Sequence, residues 1–390
     1  MISPFVDRRH GTERAVAELV EQLAERHGDQ IELYAQRVAD LPDFANEFEK
    51  TTGAIRWHRV AMFPGPYLVQ FLSWLLLNRR ARTRDFRKSG LRPDLVFSPG
   101  INAVDADVIL VHAVFHRLAE LHAGQKGHPL RTLHRRLYYA LLCRLERRIY
   151  GNPSVALAAV SKHTARQLER YFGRGGVTVI PNGVDTLHFS AKAIAPLRAA
   201  ARVQRTFASA QIVLLLVGND WRNKGLSTLL SAMALCKDLP LRLLVVGQDD
   251  QAPFRGAAAS SGLLDRVEFC QPARDVRHFY AAADILVAPS LEDSFNLPAL
   301  EAMACGLPVI VSSHAGVSEW LTHGFDALLL KNPESTTELA EAIRTLATGP
   351  DLRATLAANA VATSGKFSWE RHALQLRELL LAAAAKKTSN

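Results

Sequence analysis

The chain has 390 residues, room for two domains of ordinary size, and its 48% apolar content excludes a disordered or fibrous protein. Net charge is +9, so acidic partners are expected. The four cysteines, Cys143, Cys236, Cys270 and Cys305, form no CxxC pair and read as free thiols of a reducing, cytoplasmic compartment.

Asp7, Arg8, Arg9 and His10 break any early apolar run, so no secretory leader is expected. Only Met1-Ile2-Ser3-Pro4 precede the first loop, where a doubly wound half should open on a full buried strand; either the first strand is a stub or the start lies upstream, and the second is expected. "HGTERAVAELVEQLAERHG" (His10–Gly28) is an amphipathic helix ended by glycine, and "QIELYAQ" is a strand. "YLVQFLSWLLL" (Tyr67–Leu77) is too short to span a bilayer, which needs roughly 18 residues, and a basic run, Arg79–Lys88, follows it. "RPDLVFSPG" and "ADVILVHAVF" (Ala106–Phe115) are strands, the second with His112 at its end. A second basic, aromatic stretch covers Arg131–Tyr150. "VALAAVSKHTARQLERYFG" then passes from strand to helix near Ser161, and "VTVIPNGVD" (Val177–Asp185) is a short strand.

Thr186–Ala210 reads as a looser, charged stretch before the pattern resumes. "QIVLLLVGND", "LRLLVVGQD", "RVEFCQ" and "DILVAPS" are strands, and "GLSTLLSAMALCK", "RDVRHFYAAA", "TELAEAIRTLATG" and "SWERHALQLRELLLAAAA" are helices. The alternation implies an α/β chain of two doubly wound, Rossmann-like domains facing a cleft, over residues 1–185 and 186–368. Residues 369–390 form a last helix, expected to pack back toward the N-terminal domain.

The segment "EDSFNLPALEAMACGLPVIVS" (Glu292–Ser312) reads as loop, helix and strand. Asn296 caps the helix, Pro298 suits its first turn, Gly306 and Pro308 stop it, and Val309-Ile310-Val311 is the next buried strand. Such a loop lies where open α/β sheets bind ligands, and the helix N–H groups can hold phosphate. Asp293 and Glu301 flank that anion site. Either they only stabilise a helix N-terminus, or they accept hydrogen bonds from sugar hydroxyls beside a phosphate.

These residues resemble glycosyltransferase family 4, retaining enzymes with the two-Rossmann GT-B fold. Asp293 and Glu301 fall in the two acidic places of the family's acidic-x7-acidic signature. "VGNDWRNKG" (Val217–Gly225) is similar to its basic phosphate-binding segment, with Lys224 in place and Asn219 where relatives carry Arg; Arg222 supplies that charge from elsewhere in the loop. "HGTER" is similar to the family's first loop, which puts Gly11 and Thr12 on the acceptor side. "VILVHAVF" places His112 at the active-site histidine. The resemblance implies that Glu301 accepts from the ribose, Asp293 from the transferred sugar, and the N–H groups of Ser294, Phe295, Asn296 and Leu297 hold sugar or diphosphate. Lys224 and Arg222 then neutralise the leaving diphosphate, and no metal or other cofactor is expected.

Bland readings stand beside these. Lys224 and Arg222 are also ordinary loop charges, and His112 a structural histidine. His112 and His116, four apart on a β-type run, sit too far apart for one ion and lack a third ligand. Asp105-Ala106-Asp107 resembles a metal-binding DxD but precedes its strand, at the wrong edge of the sheet. The two basic, aromatic stretches are either core helices with solvated ends or a peripheral contact with an anionic membrane. No nucleic-acid motif accompanies them. The expected function is a retaining transfer from a nucleoside-diphosphate sugar to a glycan or lipid-linked acceptor, in cell-surface polysaccharide or glycolipid synthesis. The alternatives are a two-Rossmann epimerase or phosphorylase, or a non-catalytic basic binding protein.

Overall fold

The structure, a computed structural model, describes residues 1–8, 11–39, 41, 55–90, 92–124, 129–273 and 275–389. It divides into two compact units, Met1–Pro181 with Trp369–Asn390, and Asn182–Ser368. The boundary after Pro181 lies a few residues ahead of the expected one after Asp185.

The first unit contains strands β1 (Phe5–Val6), β2 (Ile31–Ala35), β3 (Arg37–Val38), β4 (Ile55–Arg59), β5 (Phe97–Pro99), β6 (Val108–Val111), β7 (Ala156–Ala159) and β8 (Thr178–Val179). All their pairings are parallel, in three sets: β1-β3, β2-β4 and β5-β6-β7-β8. The short opening segment joins these sets. Ile2 N–H donates to the Phe97 carbonyl, while Ser3 and Tyr34 exchange backbone bonds with each other's strand (Ser3 N to Tyr34 O 3.1 Å, Tyr34 N to Met1 O 3.0 Å). Met1–Ser3 therefore fill the central slot between β2 and β5. Ile2, Ile109, Val111 and Leu157 belong to the apolar core around it.

Helices α1 (Gly11–Glu21), α2 (Tyr67–Ser89), α3 (Phe115–His122), α4 (Pro129–Tyr150) and α5 (Lys162–Phe172) cover these strands. α1 opens at Gly11, so Gly11 and Thr12 stand in an exposed first helical turn rather than in a loop; His10 lies outside the described residues. α5 starts where Ser161 accepts from Thr164 N–H, the cap its residue type suits.

The second unit carries helix α6 (Ala191–Gln204), then β9 (Ile212–Val217), α7 (Leu226–Ala234), β10 (Leu241–Val246), α8 (Ala252–Ser260), β11 (Val267–Cys270), α9 (Arg277–Ala282) and β12 (Ile285–Ala288). There follow α10 (Leu297–Ala304), β13 (Val309–Ser312), β14 (Leu328–Leu330), α11 (Thr336–Thr348) and α12 (Pro350–Ser364). Its six strands run parallel in the order β11-β10-β9-β12-β13-β14. Numbered within the unit this is 3-2-1-4-5-6, the doubly wound order whose direction reverses between its first and fourth strands. The apolar runs of β9, β10, β12 and β13 explain the buried layer: each is covered on both faces.

Thr186–Ala210 is a correction to the sequence reading, because most of it is α6. Arg198 and Arg202 of that helix both pair with Asp284, which also accepts from Val213 N–H, so the helix docks at the amino end of β9 and β12. The last helix, α13 (Trp369–Ser389), belongs to the first unit. Arg377 makes a two-pronged pair with Asp29, Lys387 meets Asp107, and His372 Nδ1–H donates to the Pro181 carbonyl.

Candidate functional site

The switch point of the second sheet lies between β9 and β12, and the loops leaving their carboxyl ends are laced together. Leu291 N–H donates to the Asn223 carbonyl at 2.7 Å, and the Asn223 side chain donates to the Glu292 carbonyl at 2.9 Å. Across this junction Lys224 Nζ meets Asp293 Oδ2 at 2.6 Å, with both side chains mostly buried.

Glycines make that closeness possible. Gly218, at φ +136°, has no side chain to obstruct Lys224; a Cβ there would stand 2.7 Å from Lys224 Cε. Gly225, at φ +76°, lets its backbone touch the β12 loop, where a Cβ would come 2.1 Å from the Pro289 carbonyl oxygen. Arg222 of the same loop is exposed, and no ion pair holds its guanidinium among the described residues. Asn219 is structural: its Oδ1 accepts from Gln248 N–H. Asp249 likewise accepts from Trp221 N–H.

Asp293 is held on three sides. Its N–H donates to the His314 carbonyl, its carbonyl accepts from Gly316 N–H, and its Oδ1 accepts from Phe295 N–H at 3.2 Å. The Phe295 N–H is therefore already used by Asp293, a correction to its expected place among the free donors. Among the described residues, nothing accepts from the N–H groups of Ser294, Asn296 and Leu297. The Phe295 ring faces the core, against Trp320 and Phe367, and anchors the loop. Asn296 adopts φ +75° and accepts from Ala299 N–H, which caps α10 as its sequence predicts.

Glu301 is buried within α10, and its Oε2 accepts from the Tyr280 hydroxyl at 2.6 Å. Sequence reasoning missed Tyr280, which lies in another helix. It also missed His314, just beyond β13, whose Nδ1–H donates to the Leu291 carbonyl at 3.0 Å. The carboxyl-edge rule points to His314; no local signal points to Tyr280.

In the first unit, His112 stands just past the carboxyl end of β6. Among the described residues neither of its buried ring nitrogens meets a partner at full hydrogen-bond geometry, and the Leu110 carbonyl acts on the ring only weakly. Burial, with the neighbouring His372 as a lesser cause, brings its pKa down to about 3, so the ring is neutral. Burial likewise lowers His372 to about 4. His116 is drawn elsewhere: with Cys143 and Glu146 it forms a group whose metal-type donor atoms lie within 4.8 Å. Cys143 and Glu146 are thus donors beside His116 that the sequence did not reveal, and His112 is not part of the group. Glu146 already accepts from Phe115 N–H, His116 N–H and His116 Nδ1–H, so it caps the start of α3. Asp105 pairs with the buried Arg82, and Asp107 accepts from Val96 N–H, so the DxD look-alike is structural.

Two parallel-sheet units in one chain, the second with a lysine–carboxylate crevice at its switch point, define the GT-B class. Glycosyltransferase Family 4 matches residues 9–187 and Glycosyl transferases group 1 matches residues 198–363, and the chain belongs to these group 1 and family 4 glycosyltransferases. It is 36% identical to the D-inositol 3-phosphate glycosyltransferase of Actinosynnema mirum, over 53% of this chain and 51% of that one. With the lipopolysaccharide glucosyltransferase WaaG of Escherichia coli it shares 29% identity, over 52% of this chain and 54% of WaaG. The chain thus spans about half the length of the curated relatives it matches. The crystal structure of Anabaena Alr3699/HepE in complex with UDP-glucose has the same fold, with a TM-score of 0.67, 20% identity and 98% coverage of both chains. Among the described residues, no helix is long and apolar enough to cross a membrane.

Proposed function

We propose that this protein is a retaining glycosyltransferase that moves a sugar from a nucleoside-diphosphate sugar to a hydroxyl of a glycan or lipid-linked acceptor. The observation that carries the reading is the Lys224–Asp293 pair at the switch point of the second unit. It sets a cation for the diphosphate beside a carboxylate for sugar hydroxyls, next to the unengaged N–H groups of Ser294, Asn296 and Leu297. Glu301, braced by Tyr280, accepts from the ribose.

In the reaction the bond from the anomeric carbon to the diphosphate oxygen breaks, and the acceptor oxygen bonds to that carbon on the same face. The acceptor proton passes to the departing phosphate oxygen. Lys224, Arg222 and the α10 N-terminus stabilise the charge that grows there, so the step needs no metal. His112, a neutral ring, hydrogen-bonds sugar or acceptor hydroxyls without adding charge.

The relatives support the substrate classes. One is crystallised with UDP-glucose, one is a D-inositol 3-phosphate glycosyltransferase, and one is a lipopolysaccharide glucosyltransferase. Cell-surface polysaccharide or glycolipid synthesis, with the protein in the cytoplasm and in peripheral contact with the inner face of an anionic membrane, suits these features and the basic first unit. The test is incubation with a panel of nucleoside-diphosphate sugars in EDTA, with and without glycan and lipid-linked acceptors. Glycoside that forms only with acceptor present, and keeps the donor's anomeric configuration, is the expected outcome. Sugar altered by donor alone would indicate an epimerase, and transfer that requires inorganic phosphate would indicate a phosphorylase.

A further inference from the structure

Two helices of the first unit share one surface pattern. On α2, Val69, Leu72, Leu76, Arg80, Thr83 and Arg87 follow one another at three- and four-residue steps, so they share a face. All are exposed, Leu72 by 46% and Leu76 by 51%, and the face is apolar in its first half and basic in its second. On α4, Leu130, Leu133, Leu137, Ala140, Arg144 and Arg147 repeat the steps and the order, with Leu133 exposed by 55% and Leu137 by 53%. Ring contacts of Tyr138 on α4 with Tyr67 and Phe71 on α2 set the apolar half of α2 against the middle of α4. Phe63 and Tyr67, both exposed, widen the apolar patch.

Along the second half of α2, Leu76 and Arg79, Arg80, Arg84, Arg87 and Lys88 line one open, basic surface. Arg82 is not among them, since it turns inward to Asp105. Asp85 is the lone acid of α2 and meets Arg84 and His58. The helix thus sends one arginine into the fold and keeps the others outside.

Exposed leucines in line with arginines decide between partners. A nucleic acid would satisfy the arginines and leave the leucines in water. A bilayer interface accepts both, apolar side chains below the headgroups and cations at their phosphates. We infer that this two-helix face docks on an anionic phospholipid bilayer, with Leu72, Leu76, Leu133 and Leu137 entering the interface and the α2 arginines binding lipid phosphates. The inference deepens the peripheral-membrane part of the proposed function and rests on it.

The test is co-sedimentation of the full chain with vesicles of phosphatidylglycerol and phosphatidylcholine, and with phosphatidylcholine alone, at low and high salt. Wild type should sediment with the anionic vesicles and be largely released by salt. Replacing Arg79, Arg80, Arg84 and Arg87 with Gln should lower low-salt partitioning by about tenfold or more. Leu72→Ser with Leu137→Ser should instead remove the binding that survives high salt, because apolar insertion is not screened. Both variants should keep wild-type affinity for nucleoside diphosphates, which shows that they fold. Vesicle binding without nucleotide binding would sink the enzymatic reading and leave this surface standing. Wild type that ignores anionic vesicles at low salt, or Gln and Ser variants that bind them as wild type does, would overturn the inference. A preference for duplex nucleic acid over vesicles would overturn it too.

Discussion

Lys224 and Asp293 are 19% and 11% exposed in their side chains and touch at 2.6 Å, so each is a principal counter-charge of the other. Removing one strands its partner in a poorly solvated place. Lys224→Ala is expected to lower kcat/KM about a hundredfold, equivalent to ~2.7 kcal/mol of lost charge stabilisation. Asp293→Ala should lower turnover more than nucleoside-diphosphate affinity. In the double variant the two losses should fall well short of additive, because the second substitution removes a charge the first left unpaired. Steady-state kinetics on the four proteins checks this, and strict additivity would deny that the pair acts as a unit. Glu301→Ala should weaken nucleotide binding itself, and Tyr280→Phe should do so more mildly by removing only the bracing hydroxyl. Calorimetric titration with nucleoside diphosphate measures both. At this scale the carboxyl-edge rule put Asp293 in the loop leaving β12, the resemblance put Lys224 in the loop leaving β9, and the structure brings those two side chains together. The sequence was silent where tertiary packing chooses the partner, as with Tyr280, or decides which N–H is spent, as with Phe295.

The buried histidines set a pH dependence. His112 and His372 have folded pKa values of about 3 and about 4, below the ordinary 6.5, so the unfolded chain takes up their protons first as pH falls. Their contribution is complete above about pH 6.5 and is lost as pH drops toward the folded values. Thermal melts between pH 7.5 and 5 should show a shallower decline for His112→Gln than for wild type. Parallel declines would mean that His112 is solvated and charged in the folded chain.

Elements follow the same division. The strands of the second unit were legible because buried parallel strands need continuous apolar runs, and β9, β10, β12 and β13 have them. The helix α6 was not, since its arginines resemble a solvated linker until Asp284, far along the chain, turns out to receive them. α8 and α12 were overlooked as well; rich in alanine, they show little apolar periodicity. The loop–helix joints are where elements control the site. Asn296→Ala should cost about 1–2 kcal/mol for the lost cap, with a further cost for alanine at φ +75°, whereas Asn296→Gly should cost a few tenths. Gly225→Ala, facing the Pro289 carbonyl at φ +76°, should separate the two loops, lower the melting temperature and abolish nucleotide binding together. A Gly225→Ala protein with wild-type melting and affinity would contradict the close approach on which the crevice depends.

At the scale of the whole molecule, each unit brings different chemistry. The second holds the cation–carboxylate crevice; the first holds the neutral His112 and the basic, leucine-lined helices, and α13 is clasped to it through Asp29 and Asp107. The two-sheet plan was legible because strand and helix signals alternate through both halves. The filling of the first sheet's centre by Met1–Ser3 was not, because three residues carry no periodicity. The central claim is that the β9–β12 crevice of the second unit binds a nucleoside-diphosphate sugar through its own side chains. Thermal denaturation in EDTA with increasing nucleoside diphosphate tests it most directly, since a ligand at a hundred times its Kd adds about 2.7 kcal/mol. Saturable stabilisation of wild type, strongly reduced in Lys224→Ala and Glu301→Ala and retained when Arg79, Arg80, Arg84 and Arg87 become Gln, is the predicted result. Stabilisation that no nucleoside diphosphate produces, that requires a divalent metal, or that both crevice variants keep in full would contradict it.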